Sequence, residues 1–138
     1  MEKFEFLEHT ADIKFRARGK TLNEAFENSV LAMSNYLSGG EKIASKTEKT
    51  ISLKRHDYES LLYNLLDELV FLLDSEGFVV SKSEIHISGF ALKSKLYGDS
   101  AKEYGLDHIK AATYAEMYVK KKHSNAKEYW EIQAVLDV

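Results

Sequence analysis

In the stretch Phe6–Phe26, FLEHTADIKFRARGKTLNEAF, the spacing of the apolar residues changes from the two-residue period of a strand to the period of a helix. This change indicates the class of fold. Ile13, Phe15 and Ala17 alternate with polar residues, which is typical of a half-buried strand. From Thr21 onward the apolar residues recur at helical spacing. The chain therefore runs from a strand directly into a helix, and the polar segment LEHTAD interrupts the strand pattern just before it.

Two helices are predicted from capping signals and apolar spacing. Thr21 and Glu24 form a capping box, in which the Thr21 hydroxyl accepts from the Glu24 amide. A glycine pair ends this first helix, which we place at about 21–38. Asp57 caps a second helix at about 58–75, whose apolar residues cover much more than one stripe.

The other segments read as strands. One lies in KTISLKR before the second helix, because its apolar and polar residues alternate. The segments that follow the second helix are Phe78–Val80 with Ile85–Ile87, Ala91–Tyr97, a polar loop at Gly98–Asp107, Lys110–Lys120 and Tyr129–Val138. Strands and helices do not alternate regularly, which disfavours a doubly wound parallel sheet. We predict a single α+β domain over residues 1–138, with an antiparallel or mixed sheet and two helices packed on one face.

Composition excludes several classes of protein. The chain of 138 residues is 44% hydrophobic and 30% charged, as in an ordinary globular domain. It has no cysteine, which excludes a disulfide framework, a thiolate zinc site and a cysteine nucleophile. The net charge of −3 argues against a broad basic surface for DNA or RNA. No signal peptide and no apolar run of ~20 residues is present, so we expect a cytoplasmic protein without a membrane segment.

Common catalytic motifs are absent from the sequence. It contains no Walker loop, dinucleotide glycine fingerprint, nucleophile elbow or HExxH motif. The five histidines are scattered, and none is at metal-ligand spacing from another. Asp67, Glu68 and Asp74 could be active-site acids, but we favour the interpretation that they form the solvated stripe of the second helix or act as caps and partners of nearby lysines.

A divalent cation site is the one functional constellation that the residue types suggest. His9 and Asp12 lie at the strand break, and Asp137 and Val138 end a strand that is apolar to its last residues. If Asp12 lies beside that strand, the carboxylates of Asp12, Asp137 and Val138 converge. Such oxygen donors favour Ca²⁺, Mg²⁺ or Mn²⁺ over Zn²⁺. The alternative is that Asp12 satisfies loop amides and Asp137 is an ordinary surface residue.

The blocks HTAD, LLDELVFLLDSEG and KAATY and the terminal LDV follow one another along nearly the whole chain. In these blocks and in their order the sequence resembles the archease family. The resemblance implies a small α+β protein without its own established catalytic activity. Archeases activate the RtcB-type RNA-splicing ligase, which joins tRNA halves using GTP and Mn²⁺. They promote its guanylylation and repeated turnover, so contact with tRNA is expected only indirectly.

The resemblance also implies particular site residues. The family's metal site, described with calcium, corresponds to Asp12, Asp137 and Val138. His9 and Lys110 are candidate contacts with the partner. The chain departs from the family at Ala115, where many relatives have a histidine. Two other functions remain as alternatives: a metal-dependent phosphoesterase, or a chaperone or RNA-binding module.

Overall fold

The computed structural model describes residues 1–138 and contains two α-helices and eight strands. In chain order the elements are β1 (Phe4–Leu7), β2 (Ile13–Gly19), α1 (Leu22–Ser38), β3 (Thr47–Lys54), α2 (Tyr58–Glu76), β4 (Phe78–Ser88), β5 (Ala91–Ser100), a short 3₁₀ helix (Ala101–Glu103), β6 (Ala111–Ala112), β7 (Tyr118–Ser124) and β8 (Lys127–Asp137). Neither α-helix combines the length and the apolarity that are needed to cross a membrane.

The strands divide into two antiparallel sheets. The larger sheet has the order β1-β2-β8, and both β6 and β7 pair with the same long strand β8. The smaller sheet has the order β3-β5-β4. The predicted α+β class is confirmed, but the strands form two sheets rather than one. The local alternation of apolar and polar residues does not specify which distant strands pair. The sequence therefore did not indicate that the strands divide into two sheets.

Both helices begin and end close to their predicted limits. The Thr21 hydroxyl accepts from the Glu24 amide at 3.1 Å, and Gly39 ends α1 with a φ of 63°. Asp57 caps α2 by accepting from the Ser60 amide at 2.7 Å. The left-handed conformation at Gly39 is accessible to glycine at little cost, which explains why α1 stops there.

One hydrophobic core of 28 buried residues joins the two sheets and the two helices. Its largest fully buried side chains include Phe15 from β2, Phe26 from α1, Leu65 from α2 and Ile132 from β8. Helix α1 also bonds the outer edge of β4. The Ile85 amide donates to Glu27 at 2.8 Å, and the Ile87 amide donates to Asn23 at 2.9 Å. Side chains of α1 thus satisfy backbone donors that an edge strand would otherwise expose.

Two predicted boundaries were wrong. The polar loop at 98–107 begins later than predicted, because β5 continues to Ser100 and pairs there with Phe78. The strand predicted at 110–120 is broken between β6 and β7. Within the break, the Thr113 hydroxyl donates to the Val135 carbonyl at 2.8 Å, and Glu116 has a φ of 53°. A positive φ is not compatible with a continuous strand. A hairpin turn joins β7 to β8, and Asn125 within it has a φ of 51°.

Candidate functional site

The ends of β2 and β8 bring the two predicted aspartates to neighbouring positions. Ile13 pairs with Leu136 at the limit of the antiparallel register. The next residues outward are Asp12, directly before β2, and Asp137, the last residue of β8. Because paired strands lie about 5 Å apart, the loop before β2 and the end of β8 meet at this edge. We call this region, made of His9, Asp12, Lys110, Asp137 and Val138, the tip.

The other side of β8 holds Lys110. Its backbone amide donates to the Asp137 carbonyl at 2.7 Å. The next residue, Ala111 of β6, pairs with Asp137 of β8. The Lys110 side chain is exposed. The Val138 side chain packs against the hydrophobic core, which fixes the last residue in place. The backbone at Asp137 is therefore held on both sides by neighbouring segments.

His9 connects the tip to a glutamate that lies more than a hundred residues away. Its Nε2 atom is 2.8 Å from Glu116 Oε2, and Lys14 Nζ is 3.0 Å from Glu116 Oε1. The other ring nitrogen, Nδ1, is 3.8 Å from Asp12 Oδ2. That distance is too long for a hydrogen bond, and Nδ1 is buried without any polar partner.

Glu116 is an anion that orients the His9 ring. Hydrogen bonds from Lys14 and His9 lower the pKa of the Glu116 carboxyl. An ionised carboxylate can only accept, so His9 Nε2 must carry the hydrogen in this contact. Sequence reasoning missed Glu116, since it was placed in an uninterrupted strand. No local signal marked it, because its partners come from β2 and from the loop before β2.

A second charged network lies further along β8. Glu131 is 2% exposed and accepts from Arg18 at 2.8 Å, from Lys122 at 2.7 Å and from Tyr118 at 2.5 Å. Burial alone would raise the pKa of Glu131, but these hydrogen bonds lower it to about 2. Burial and the same glutamate raise the pKa of Tyr118 to about 12. Arg18 also pairs with Glu5, so this network joins four strands of the larger sheet, β1, β2, β7 and β8.

No group of three or more His, Cys, Asp or Glu side chains is arranged to hold a metal ion. The donors predicted at the tip include only two such side chains, those of Asp12 and Asp137. The third predicted donor is the α-carboxylate of Val138. Asp74 is exposed near the end of α2. Ala115 is exposed in the break after β6, where its amide bonds to the Thr113 hydroxyl at 3.2 Å.

The fold and the tip define a small α+β protein of two antiparallel sheets, in which the loop before β2 and the end of β8 meet at one charged edge. A model of the archease protein family matches residues 4–138. The chain belongs to the archease family.

Curated relatives and a solved structure agree with this assignment. The chain is 36% identical over 143 residues to Protein archease of Sulfurisphaera tokodaii, and all of both chains is covered. It is 38% identical over 148 residues to Protein archease-like of Dictyostelium discoideum, covering 100% of this chain and 95% of that protein. The solution structure of Methanobacterium thermoautotrophicum protein 1598 superposes with a TM-score of 0.83 at 31% identity, and all of both chains is covered.

Proposed function

We propose that this protein is an accessory factor that activates an RtcB-type RNA-splicing ligase in tRNA splicing. It promotes the GTP-dependent guanylylation of the ligase and its multiple turnover, and it acts in the cytoplasm. Membership in the archease family supports this role, because activation of that ligase is what the sequence resemblance implied. The protein contributes no reaction of its own, and it meets tRNA only through the ligase.

The observation that carries the proposal is the pairing of β2 with β8. Their register sets Asp12 beside Asp137 at the tip. We propose that Asp12, Asp137 and Val138 hold a divalent cation there, with Ca²⁺ as the first choice and Mg²⁺ or Mn²⁺ as alternatives. The donor set fits such an ion, because hard cations prefer carboxylate oxygens. The packing of Val138 against the core supports a fixed position for its carboxylate.

The protein's own residues would position the tip against the ligase. The Lys110 side chain is exposed beside the end of β8 and can contact an anionic group of the partner, including a phosphate. The His9 ring is held by Glu116 and lies near Asp12. It can therefore keep the loop between β1 and β2 in a fixed position beside the strand ends. A bound divalent cation would offset two of the three negative charges of these carboxylates and would leave a coordination position open to a group of the ligase.

The test is guanylylation of a purified RtcB-type ligase with GTP and Mn²⁺, measured with and without this protein. Wild type should accelerate guanylylation and permit repeated turnover. Asp12→Asn should lower the stimulated rate by about tenfold or more, as is typical when a metal site is damaged. Asp74→Asn is the matched control, since it removes an exposed acid from α2.

Two results would contradict the proposal in different ways. Equal stimulation by wild type and Asp12→Asn would remove the tip from the mechanism. A ligase that ignores the wild-type protein would refute the proposed function itself. Phosphoester hydrolysis by the protein alone, abolished by a chelator, would instead favour the metal-dependent phosphoesterase. Tight, salt-sensitive RNA binding in the absence of ligase would favour the RNA-binding module.

A further inference from the structure

Two tyrosine rings form a stacked pair on the surface of the protein. Tyr63 belongs to α2, and Tyr114 lies in the break between β6 and β7. The ring centroids are 4.2 Å apart, and the ring planes differ by 5°. Tyr63 is half-buried, whereas Tyr114 is 55% exposed. Since Tyr63 covers one face of the Tyr114 ring, this exposure requires the other face to be open. We call this pair of residues the tyrosine platform.

The segment that carries Tyr114 is held in place by the backbone around it. The Thr113 amide and hydroxyl both donate to the Val135 carbonyl of β8, at 3.2 Å and 2.8 Å. The Tyr114 carbonyl accepts from the Met117 amide at 3.2 Å. A ring that is already fixed loses little freedom when a ligand binds, so more of the contact energy contributes to affinity. The open face of Tyr114 is therefore a preorganised surface for a flat ligand.

Positive charge lies beside the platform. Lys54 ends β3 and Arg55 follows it, and both side chains are exposed. Arg55 donates to two neutral oxygens, the Lys54 carbonyl at 2.6 Å and Asn64 Oδ1 at 2.5 Å. Asn64 follows Tyr63 in α2, so this bond fixes the guanidinium near the stacked rings. Neither Lys54 nor Arg55 forms an ion pair, and both positive charges stay available to a ligand.

The pKa of the Tyr114 hydroxyl reflects the same charged surroundings. Burial, Tyr63 and Asp57 raise this pKa, and Arg55 acts in the opposite direction. The Asp57 carboxylate is already engaged as the cap of α2, where it accepts from the Ser60 amide at 2.7 Å. The two positive charges beside the platform outnumber this one negative charge. The surroundings of the open ring therefore favour an anionic ligand over a cationic one.

We propose that the tyrosine platform binds a purine mononucleotide, with the base stacked on the open face of Tyr114 and the phosphates near Lys54 and Arg55. A nucleotide combines the flat ring and the negative charge that these residues fit. Aromatic side chains stack with every base, and the larger ring system of a purine gives more contact than a pyrimidine does. An arginine of a partner protein is also planar, but Arg55 would repel it. The site uses neither the carboxylates of the tip nor a metal ion, so it goes beyond the proposed function.

GTP is the probe for the test, in a buffer that contains a chelator so that no divalent cation takes part. Proton NMR follows the guanine H8 signal, which should move upfield when the base stacks on an aromatic ring. Wild type should bind GTP with a Kd of about 1 mM or less. Tyr114→Ala should weaken binding by about fivefold or more and abolish the H8 shift. Tyr114→Phe keeps the ring and should remain within about twofold of wild type.

Phe71→Ala is the matched control. Phe71 is another exposed aromatic residue of α2, at 54% exposure, but it is not part of the platform, so its replacement should leave GTP binding unchanged. Arg55→Gln should weaken GTP binding by about threefold and reduce its dependence on salt. CTP should bind more weakly than GTP. Inorganic triphosphate, which has no base, should bind wild type and Tyr114→Ala equally.

Three outcomes would overturn the inference: an unchanged GTP affinity in Tyr114→Ala, an H8 shift that persists in that variant, or equal binding of GTP and inorganic triphosphate by wild type. A single-stranded hexanucleotide that binds far more tightly than GTP would also overturn it, because the ligand would then be RNA. A protein that stimulates ligase guanylylation but does not bind GTP by itself refutes this inference alone. A protein that binds GTP through Tyr114 but does not stimulate the ligase refutes the proposed function alone.

Discussion

Replacing Glu131 by glutamine should remove about 3 kcal/mol of the free energy of unfolding at neutral pH. The magnitude follows from the pKa of Glu131, which is lowered from its ordinary value of 4.5 to about 2. Each pH unit of such a difference is worth about 1.4 kcal/mol. Because the side chain is only 3% exposed, screening by solvent does little to reduce this value.

The pH dependence has a definite direction. A carboxyl whose folded-state pKa is depressed contributes its full stabilisation above the unfolded-state value of 4.5, and it loses that stabilisation as the pH falls through about 2. The stability difference between wild type and Glu131→Gln should therefore be about 3 kcal/mol at about pH 7 and roughly half of that at about pH 3. Urea unfolding followed by circular dichroism measures it at both pH values.

Glu128→Gln provides the matched control on the same strand. The Glu128 side chain is 55% exposed, and its ion pair with Lys121 is 3.3 Å long. Exposed pairs of this kind contribute about 0–1 kcal/mol, so this variant should unfold nearly as wild type does. If Glu131→Gln differs from wild type by the same amount at every pH, its effect does not come from the charge, and the electrostatic reasoning is wrong.

Two further predictions concern the junction between β2 and α1. A Cβ at Gly19 would lie 2.4 Å from the Ala25 backbone nitrogen, so Gly19→Ala should cost about 1–3 kcal/mol in thermal or urea unfolding. Gly105→Ala is its control, since a Cβ there meets nothing within 4 Å, and an equal loss in both variants would contradict the argument. Thr21→Ala should cost about 1 kcal/mol by removing the cap of α1, and Thr21→Ser should retain most of that stability. Equal stability of both Thr21 variants would show that the cap is unimportant.

The helices could be predicted because their signals are local. The capping residues Thr21 and Asp57 and the terminal glycine Gly39 each act within a few positions of their own helix, and the structure places all three as expected. The extra length of β5 and the separation into two sheets depend on pairing between distant segments. No pattern within one strand specifies such a partner, so alternation alone could not reveal them.

The tip shows the same limit at the level of single residues. Asp12 and Asp137 were predicted from residue type and from the expectation that the first and last strands meet, and the register of β2 with β8 places them at adjacent strand ends. Metal binding by these residues stays a prediction. Glu116 could not be found in this way, because the backbone turn that aims it at His9 occurs inside an apparently regular alternating segment.

The bonds from Asn23 and Glu27 to β4 have a consequence for self-association. An unoccupied sheet margin is a template on which a strand from another molecule can dock, and repeated docking builds fibrils. Here two amides of that margin, at Ile85 and Ile87, are already engaged by α1. Growth of an intermolecular sheet along β4 would first have to displace the side chains of Asn23 and Glu27. Helix α1 therefore hinders aggregation through this strand, in addition to contributing to the core.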